Sequence, residues 1–291
     1  MVKNKYAYLL LLPTYLLVGG FLLYPTYEAF RMSLLDWSMA DYLQPLFIGL
    51  GNFAQLFADP NFINSFKVLL IFLLWNLIVY QAASVMGAYL IFLFGNSKWG
   101  GFFKVAFTVP MVVPGMVITL FWLFFYEPNL GMLNHILTAV GLGNLAIDWL
   151  GHSQATAIGS LLMMGFPWIS GIGFLIYLAG FQGIDSTVRE AAVVDGASGW
   201  VIFSRILLPL LRPQLRLTTI LVLIGGIQQF SNQLIFTNGG PGYETTVPGL
   251  YLYDQAFVYG NLGLGSAVGV VLFFIIILLS AFSMRMLRAQ D

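Results

Sequence analysis

Two places in this chain of 291 residues concentrate side chains able to do chemistry. The first is "REAAVVDGASGWVIFSRILLPLLRP", residues 189–213, where the carboxylates of Glu190 and Asp195 stand among small residues. The second is "QQFSNQ", residues 228–233, where Gln228, Gln229, Asn232 and Gln233 surround Phe230. A carboxylate on a short helix has two ordinary uses: it satisfies free amides at a helix start, or it meets a cation on another surface. Neutral amides beside aromatic faces, with Trp122 as a further ring, offer hydroxyl pairing and stacking on apolar surfaces. The same amides also serve as interhelical glue worth about 1 kcal/mol per bond. At helical spacing residues 228–233 cannot share one face, so both roles are expected within the segment.

The first stretch predicts a pair of short helices. Thr187 stands three residues before Glu190, the spacing of a capping box, and the helix should run through "REAAVVD" to Gly196, which permits a left-handed stop. Ser198 is placed to cap a second helix with Trp200, Phe203, Ile206 and Leu207 along one face. Pro209 and Pro213 should end or kink that helix. Ala191 and Ala192 are small enough to let another surface approach.

Several chemistries are excluded. There is no cysteine for a disulfide or thiolate site, and His135 and His152 lack metal-ligand spacing. Net charge is zero with no basic tract, so the footprint of a nucleic-acid binder is missing. "GNSKWG" at 95–100 does not fit a phosphate-binding loop, so any ATP must be bound by another chain. No nucleophile and base converge, which counts against a membrane-embedded enzyme. A secondary carrier commonly keeps ionisable groups deep in the bilayer, but Glu28 and Glu127 lie near the ends of apolar stretches.

The elements that position these residues are membrane spans. The chain is 59% hydrophobic and only 8% charged, with a mean hydropathy of +0.87. A helical crossing needs about 20 apolar residues. Six stretches qualify: 8–30, 68–95, 105–126, 155–180, 217–237 and 263–284. The first reads as a true span, since "LLYPTYEAFRMSLLDW" offers no small-residue cleavage site for a signal peptide. Pro110 and Pro114 should bend the third, and Gly225 and Gly226 in the fifth are candidates for close helix approach. A cytoplasmic N-terminus puts Lys3, Lys5, Lys98, Lys104, Arg189, Arg205, Arg212, Arg216, Arg285 and Arg288 inside, and only Arg31 and Lys67 outside. The long loops 31–66, 127–154 and 238–262 then lie outside. Within the last, Leu250, Tyr251, Tyr253, Ala256, Phe257 and Val258 suggest an interfacial helix, anchored in the membrane surface or touching a docking protein.

Glu190, Ala191, Ala192, three residues, Gly196, nine residues, then Ile206, Leu208 and Pro209 resemble the EAA loop of permease subunits in bacterial binding-protein-dependent ABC importers. The likeness extends to the carbohydrate-uptake group, of the maltose and glycerol-phosphate importer type. "FIGLGNFAQLFADPNFINSFK" at 47–67, "VPMVVPGMVITLFWLFFYEPNLGMLNHIL" at 109–137 and "FTNGGPGYETTVPGLYLYDQAF" at 236–257 carry it, whereas "QQFSNQLIF" at 228–236 is richer in amides than that group's pattern.

The resemblance implies an all-α polytopic membrane protein of six transmembrane helices, the type I ABC importer permease fold. Residues 1–291 would form a single permease domain with 181–216 as its cytoplasmic coupling loop. Glu190, Ala191, Ala192, Asp195, Gly196, Ile206, Leu208 and Pro209 would couple to ATPase subunits, Glu190 facing a basic residue there. Gln228, Gln229, Asn232, Gln233, Phe230 and Trp122 would line the substrate path. No cofactor is expected on this chain; ATP and Mg belong to two cytoplasmic ATPase subunits. A second permease, forming a heterodimer, and an extracytoplasmic solute-binding protein complete the implied assembly in the bacterial inner membrane, with both termini cytoplasmic.

The charge distribution alone predicts that a reporter fused after Arg288 is cytoplasmic and one inserted near Gly242 is external. An external carboxyl terminus in such a fusion assay would overturn the six-span topology.

Overall fold

The computed structural model describes residues 3–95 and 97–286. Arg288, counted above as a cytoplasmic cation, lies outside them, as do the side chains of Lys3 and Lys5. Most of the described chain is helical, because a backbone in hydrocarbon must satisfy its own hydrogen bonds. The one sheet among the described residues is a two-residue antiparallel pair, Leu35–Asp36 with Leu46–Phe47.

The six apolar stretches all appear as helix, but not all as single rods. The first becomes α1 (Tyr8–Met32), and after α2 (Gly51–Ala58) the second becomes α3 (Pro60–Phe94). The third is bent by 92° between α4 (Lys98–Met111) and α5 (Gly115–Tyr126), as the two prolines imply. α6 (Met132–Ala139) lies in the following loop.

The fourth stretch departs from the expected continuous span. It consists of α7 (Gln154–Met163) and α8 (Gly171–Gln182), each shorter than the roughly 30 Å hydrocarbon core demands. Gly165 and Pro167 interrupt it, and Trp168 turns with φ of 58°. Pro167 has no N–H to continue the ladder. Ser153 and Ser170 restart the chain by capping α7 and α8.

α9 (Ser186–Val194) and α10 (Gly199–Leu210) follow as the short helix pair. The fifth stretch is α11 (Arg212–Gln228) and α12 (Ser231–Phe236), parted where Gln229 takes an extended conformation. α13 (Pro248–Tyr253) precedes the sixth, α14 (Leu262–Met286). By length and composition four helical paths can cross a membrane, or five if the bent pair is one crossing.

Packing divides the described chain into two compact units. One contains the residues up to Phe66 with Val247–Ile275. Asn52 holds it together by donating from Nδ2 to the carbonyls of Ser33 and Leu35, at 2.9 and 2.8 Å. Gly263 donates its amide to Trp37, and a β-carbon at that glycine would overlap the Leu35 carbonyl. The Tyr251 hydroxyl donates to Asp59 Oδ2 at 2.5 Å, so the predicted interfacial helix turns Leu250 and Tyr251 into protein and leaves Phe257 and Val258 outward.

The second unit contains Lys67–Thr246 and the described residues from Ile276 onward. Its α3, α8 and α11 are joined by a polar knot. The Tyr177 hydroxyl donates to Gln81 Oε1 at 2.8 Å, Thr218 lies within hydrogen-bond distance of both, and Gln81 Nε2 donates to Thr219. α11 also approaches α3 closely: a β-carbon at Gly226 would meet Leu73 at 3.1 Å, whereas Gly225 has nothing within 4 Å. Replacing Tyr177 by phenylalanine keeps the ring but removes a donor from the knot. Thermal unfolding in detergent should show a loss of about 1 kcal/mol. An unchanged unfolding profile would mean that the knot does not hold these helices.

Candidate functional site

The helix pair forms for local reasons, one of them different from the expected. Asp185, not Thr187, caps α9, its side chain accepting from the Thr187 amide at 2.9 Å. That amide, and then the Thr187 hydroxyl, hold the Asp185 carboxyl below its ordinary value. The cap is therefore charged at neutral pH, and its contribution declines as pH falls below the ordinary carboxylate value and is lost through the lowered one. A helix that begins at Ser186 places Glu190 in its second turn, too far along to serve the start, so the capping box does not form.

α9 stops as Gly196 implies. Gly196 adopts φ of 77°; its amide donates to Val193 and that of Ala197 donates to Ala192, which together make a Schellman stop. Ser198 then caps α10, accepting from the Val201 amide. A widened turn over Ile202–Leu207 places Ile202, Phe203 and Leu207 inward. Trp200, expected on that face, stands 67% exposed at the outer start of α10, where its ring meets Phe203 at 5.5 Å between centres. α10 ends at Leu210, just after Pro209, and Pro213 sits in the first turn of α11.

Glu190 and Ala191 lie exposed on α9, while Ala192 is turned into protein. Asp195 is the exposed residue at the helix end, and Ile206, Leu208 and Pro209 are half-buried. Ala192 belongs to a core with Ala88 and Ile91 of α3, Phe181 of α8 and Phe203 of α10. Phe203 meets Tyr89 at 4.5 Å between ring centres, and Phe181 stacks on Phe92 at 5.5 Å. Across this core the inner face of the helix pair is fixed to α3 and α8. Among the described residues the only ion pair is Arg31 with Glu28, so Glu190 has no cation within the described chain.

The amide segment sits at the break of the fifth stretch. Gln228 and Gln229 are exposed, Phe230 is half-buried, and Gln233 is buried with its Oε1 lacking a hydrogen-bond partner among the described residues. Asn232 and Trp122 come together on a cavity of about 90 Å³ that Tyr80 and Thr119 also line. Trp122 stacks there on Tyr126, with ring centres 5.5 Å apart. A neighbouring cavity of about 260 Å³ is lined by Tyr80, Gln81, Ser84, Tyr177 and Thr218. Tyr80 thus borders both. A β-carbon at Gly165 would overlap its hydroxyl, so only glycine lets the α7–α8 connection pass.

Tyr80, Gln81, Tyr177 and Thr218 escaped the sequence reading. Gln81, an amide inside an apolar run, was the available signal. Tyrosine and threonine in such runs pass for ordinary packing. The carboxylates near span ends are locally used: Glu28 pairs with Arg31 at 2.8 Å, and Glu127 accepts from the Asn129 amide at 2.8 Å.

This arrangement has relatives. The chain is 32% identical to the probable ABC transporter permease protein YurN of Bacillus subtilis, over 98% of this chain and 97% of that one. It is 30% identical to the sn-glycerol-3-phosphate transport system permease protein UgpA of Agrobacterium fabrum, covering 97% and 94%. Identity is also 30% to the arabinooligosaccharides transport system permease protein AraP of Bacillus subtilis, covering 98% and 89%. In fold it matches a chain of a bacterial alginate ABC transporter, crystallised with alginate pentasaccharide-bound periplasmic protein, with a TM-score of 0.85 at 21% identity over 98% of this chain and 95% of that one. Residues 82–291 match the family described as binding-protein-dependent transport system inner membrane component, and the chain belongs to that family.

Proposed function

We propose that the chain forms one membrane-spanning half of a carbohydrate importer, the other half being a second, different permease. Two cytoplasmic ATPase subunits carry ATP and Mg, an extracytoplasmic binding protein delivers the solute, and both termini face the cytoplasm. As a family member the chain is a transport component and not an enzyme. Relatives named for arabinooligosaccharides and for sulfoquinovosyl glycerol support a sugar or related polyol. Neutral amides and aromatic faces at 228–233 suit such a solute, since hydroxyls pair with amides and sugar faces stack on rings.

The observation that carries the coupling role is the two-sidedness of α9. Its outer side offers Glu190 and Ala191 with no duty at the helix start, while Ala192 on the inner side is packed into the core of α3 and α8. An ATPase cleft that engages Glu190 through a basic side chain moves α9 and α10 with those helices as one body. Packed interiors transmit such displacements because they deform little. Gln81, Tyr177 and Thr218 tie α11 into the same body, and the break at Gln229 lies past its far end, about 16 Å along the helix from Thr218. Non-helical backbone at membrane depth is tolerated where it is covered by protein or lines a water-filled cavity, which supports 228–233 as part of the path.

Glu190→Gln separates a charged contact from a packing role, since the helix start does not depend on Glu190. The variant should insert normally yet lose retention of the ATPase subunits and uptake, by about 2–5 kcal/mol of coupling. Gly196→Leu should do likewise by straining the left-handed stop. Retention and uptake at parental levels in Glu190→Gln would remove its charge from the mechanism.

Substitution at the amide segment should read out differently. Asn232→Ala or Gln229→Ala should change transport kinetics or solute-stimulated ATPase activity while the assembly remains intact. Unchanged kinetics across every amide substitution in 228–233 would place the path elsewhere.

A further inference from the structure

A cavity of about 630 Å³ lies apart from the path, between the end of α3, the first turns of α4 and the first turns of α9. Phe92 and Ile91 supply an apolar wall; Ser97, Ser186, Lys104 and Arg189 supply polar groups. Lys104 and Arg189 have no carboxylate partner among the described residues. The guanidinium of Arg189 is held over the Phe92 ring at 5.7 Å, which keeps it at the cavity wall. Asp185, the one acid on the lining, is committed to the Thr187 amide. The starts of the two helices are already served by Ser97 and Asp185, so the attraction for an anion comes from the two side-chain cations.

The depth of the cavity suggests what fills it. Trp99 and Phe102 beside it on α4, and Trp200 on α10, are exposed by more than 60% each. Exposed tryptophans flanking apolar helices mark the headgroup level of a bilayer, and a basic pocket between helices at that level suits an anionic headgroup. We infer that this groove binds the phosphate of an anionic phospholipid, with Lys104 and Arg189 as its cationic ligands and the Phe92 side facing the glycerol region. A lipid so held bridges α4 to α9 and braces the helix pair from the membrane side.

The test uses the full chain, purified and delipidated, with phosphatidylglycerol or phosphatidylcholine added back and retention read by native mass spectrometry. Phosphatidylglycerol should be retained in preference, by about fivefold per cation. Lys104→Gln should lower that preference about fivefold, and Lys104→Gln with Arg189→Gln should abolish it. Lys98→Gln, which removes a nearby lysine absent from the lining, should leave it unchanged. Equal retention of the two lipids, or equal losses in Lys98→Gln and Lys104→Gln, would overturn the site in favour of diffuse surface charge. Thermal stability measured with inorganic phosphate alone distinguishes the source: no stabilisation is expected, and stabilisation equal to that by phosphatidylglycerol would assign the groove to a free anion and overturn the lipid.

Discussion

Hydrocarbon offers a backbone no hydrogen bonds, so every interruption of a span has to bring its own partners. That constraint sorts the features of the second unit. The bend between α4 and α5 places prolines where amides would otherwise be orphaned. At the break between α7 and α8, Ser170 caps the new helix and Trp168 donates its indole N–H to the Leu162 carbonyl at 2.9 Å. The polar knot of Gln81, Tyr177 and Thr218 follows the same rule, each side chain finding a partner on another helix. Against that background Gln228 and Gln229 stand out, exposed at a break in the described chain. Lipid is a costly neighbour for two amides, and water or a second protein surface is the environment in which they are stable.

Apolar attraction does less inside a bilayer than in water, because lipid tails are as apolar as leucine. The large outward-facing residues of α1, such as Leu10 and Phe21, are therefore unexceptional on a lipid-facing helix. The helix pair is different. α9 carries charge and leaves the spans, so the burial of Ala192, Phe203 and Leu207 removes apolar surface from water or headgroups, at about 25 cal/mol per Å². Hydrophobic burial thus anchors the helix pair where the proposed coupling force enters. Close ring contacts from Phe203 through Tyr89 to Phe181 make that anchor stiff.

The parts legible in the sequence were those governed by near neighbours. Gly196 and Ser198 fix the turn between α9 and α10 through bonds spanning five residues or fewer, and Pro110 and Pro114 mark their bend by what they lack. Misreadings arose where two local solutions competed or where spacing alone was read as burial. Asp185 and Thr187 could both cap α9, and the carboxylate two residues earlier took the role. Helical spacing gives the face of Trp200 but not its exposure, which follows from its place at the start of α10 before the buried run that begins at Ile202. The knot was out of reach for another reason: its members lie 96 and 137 positions apart, and no periodicity records such a meeting.

The cavities also bear on how a solute is recognised. Those next to Tyr80 measure about 260 and 90 Å³, below the roughly 300 Å³ at which ligand pockets begin. On the carbohydrate reading, neither encloses an oligosaccharide by itself, and the proposed second permease would supply the opposing wall. The lining of these two cavities, with Tyr80, Gln81, Thr119 and Asn232, is uncharged. An anionic solute would give up hydration there without gaining a counter-charge from these residues, whereas hydroxyls exchange water for amide and phenol partners at little net cost. On the proposed path, the physical preference of this lining is therefore for a neutral, hydroxyl-rich solute, and selectivity for a charged sugar would have to come from the proposed second permease.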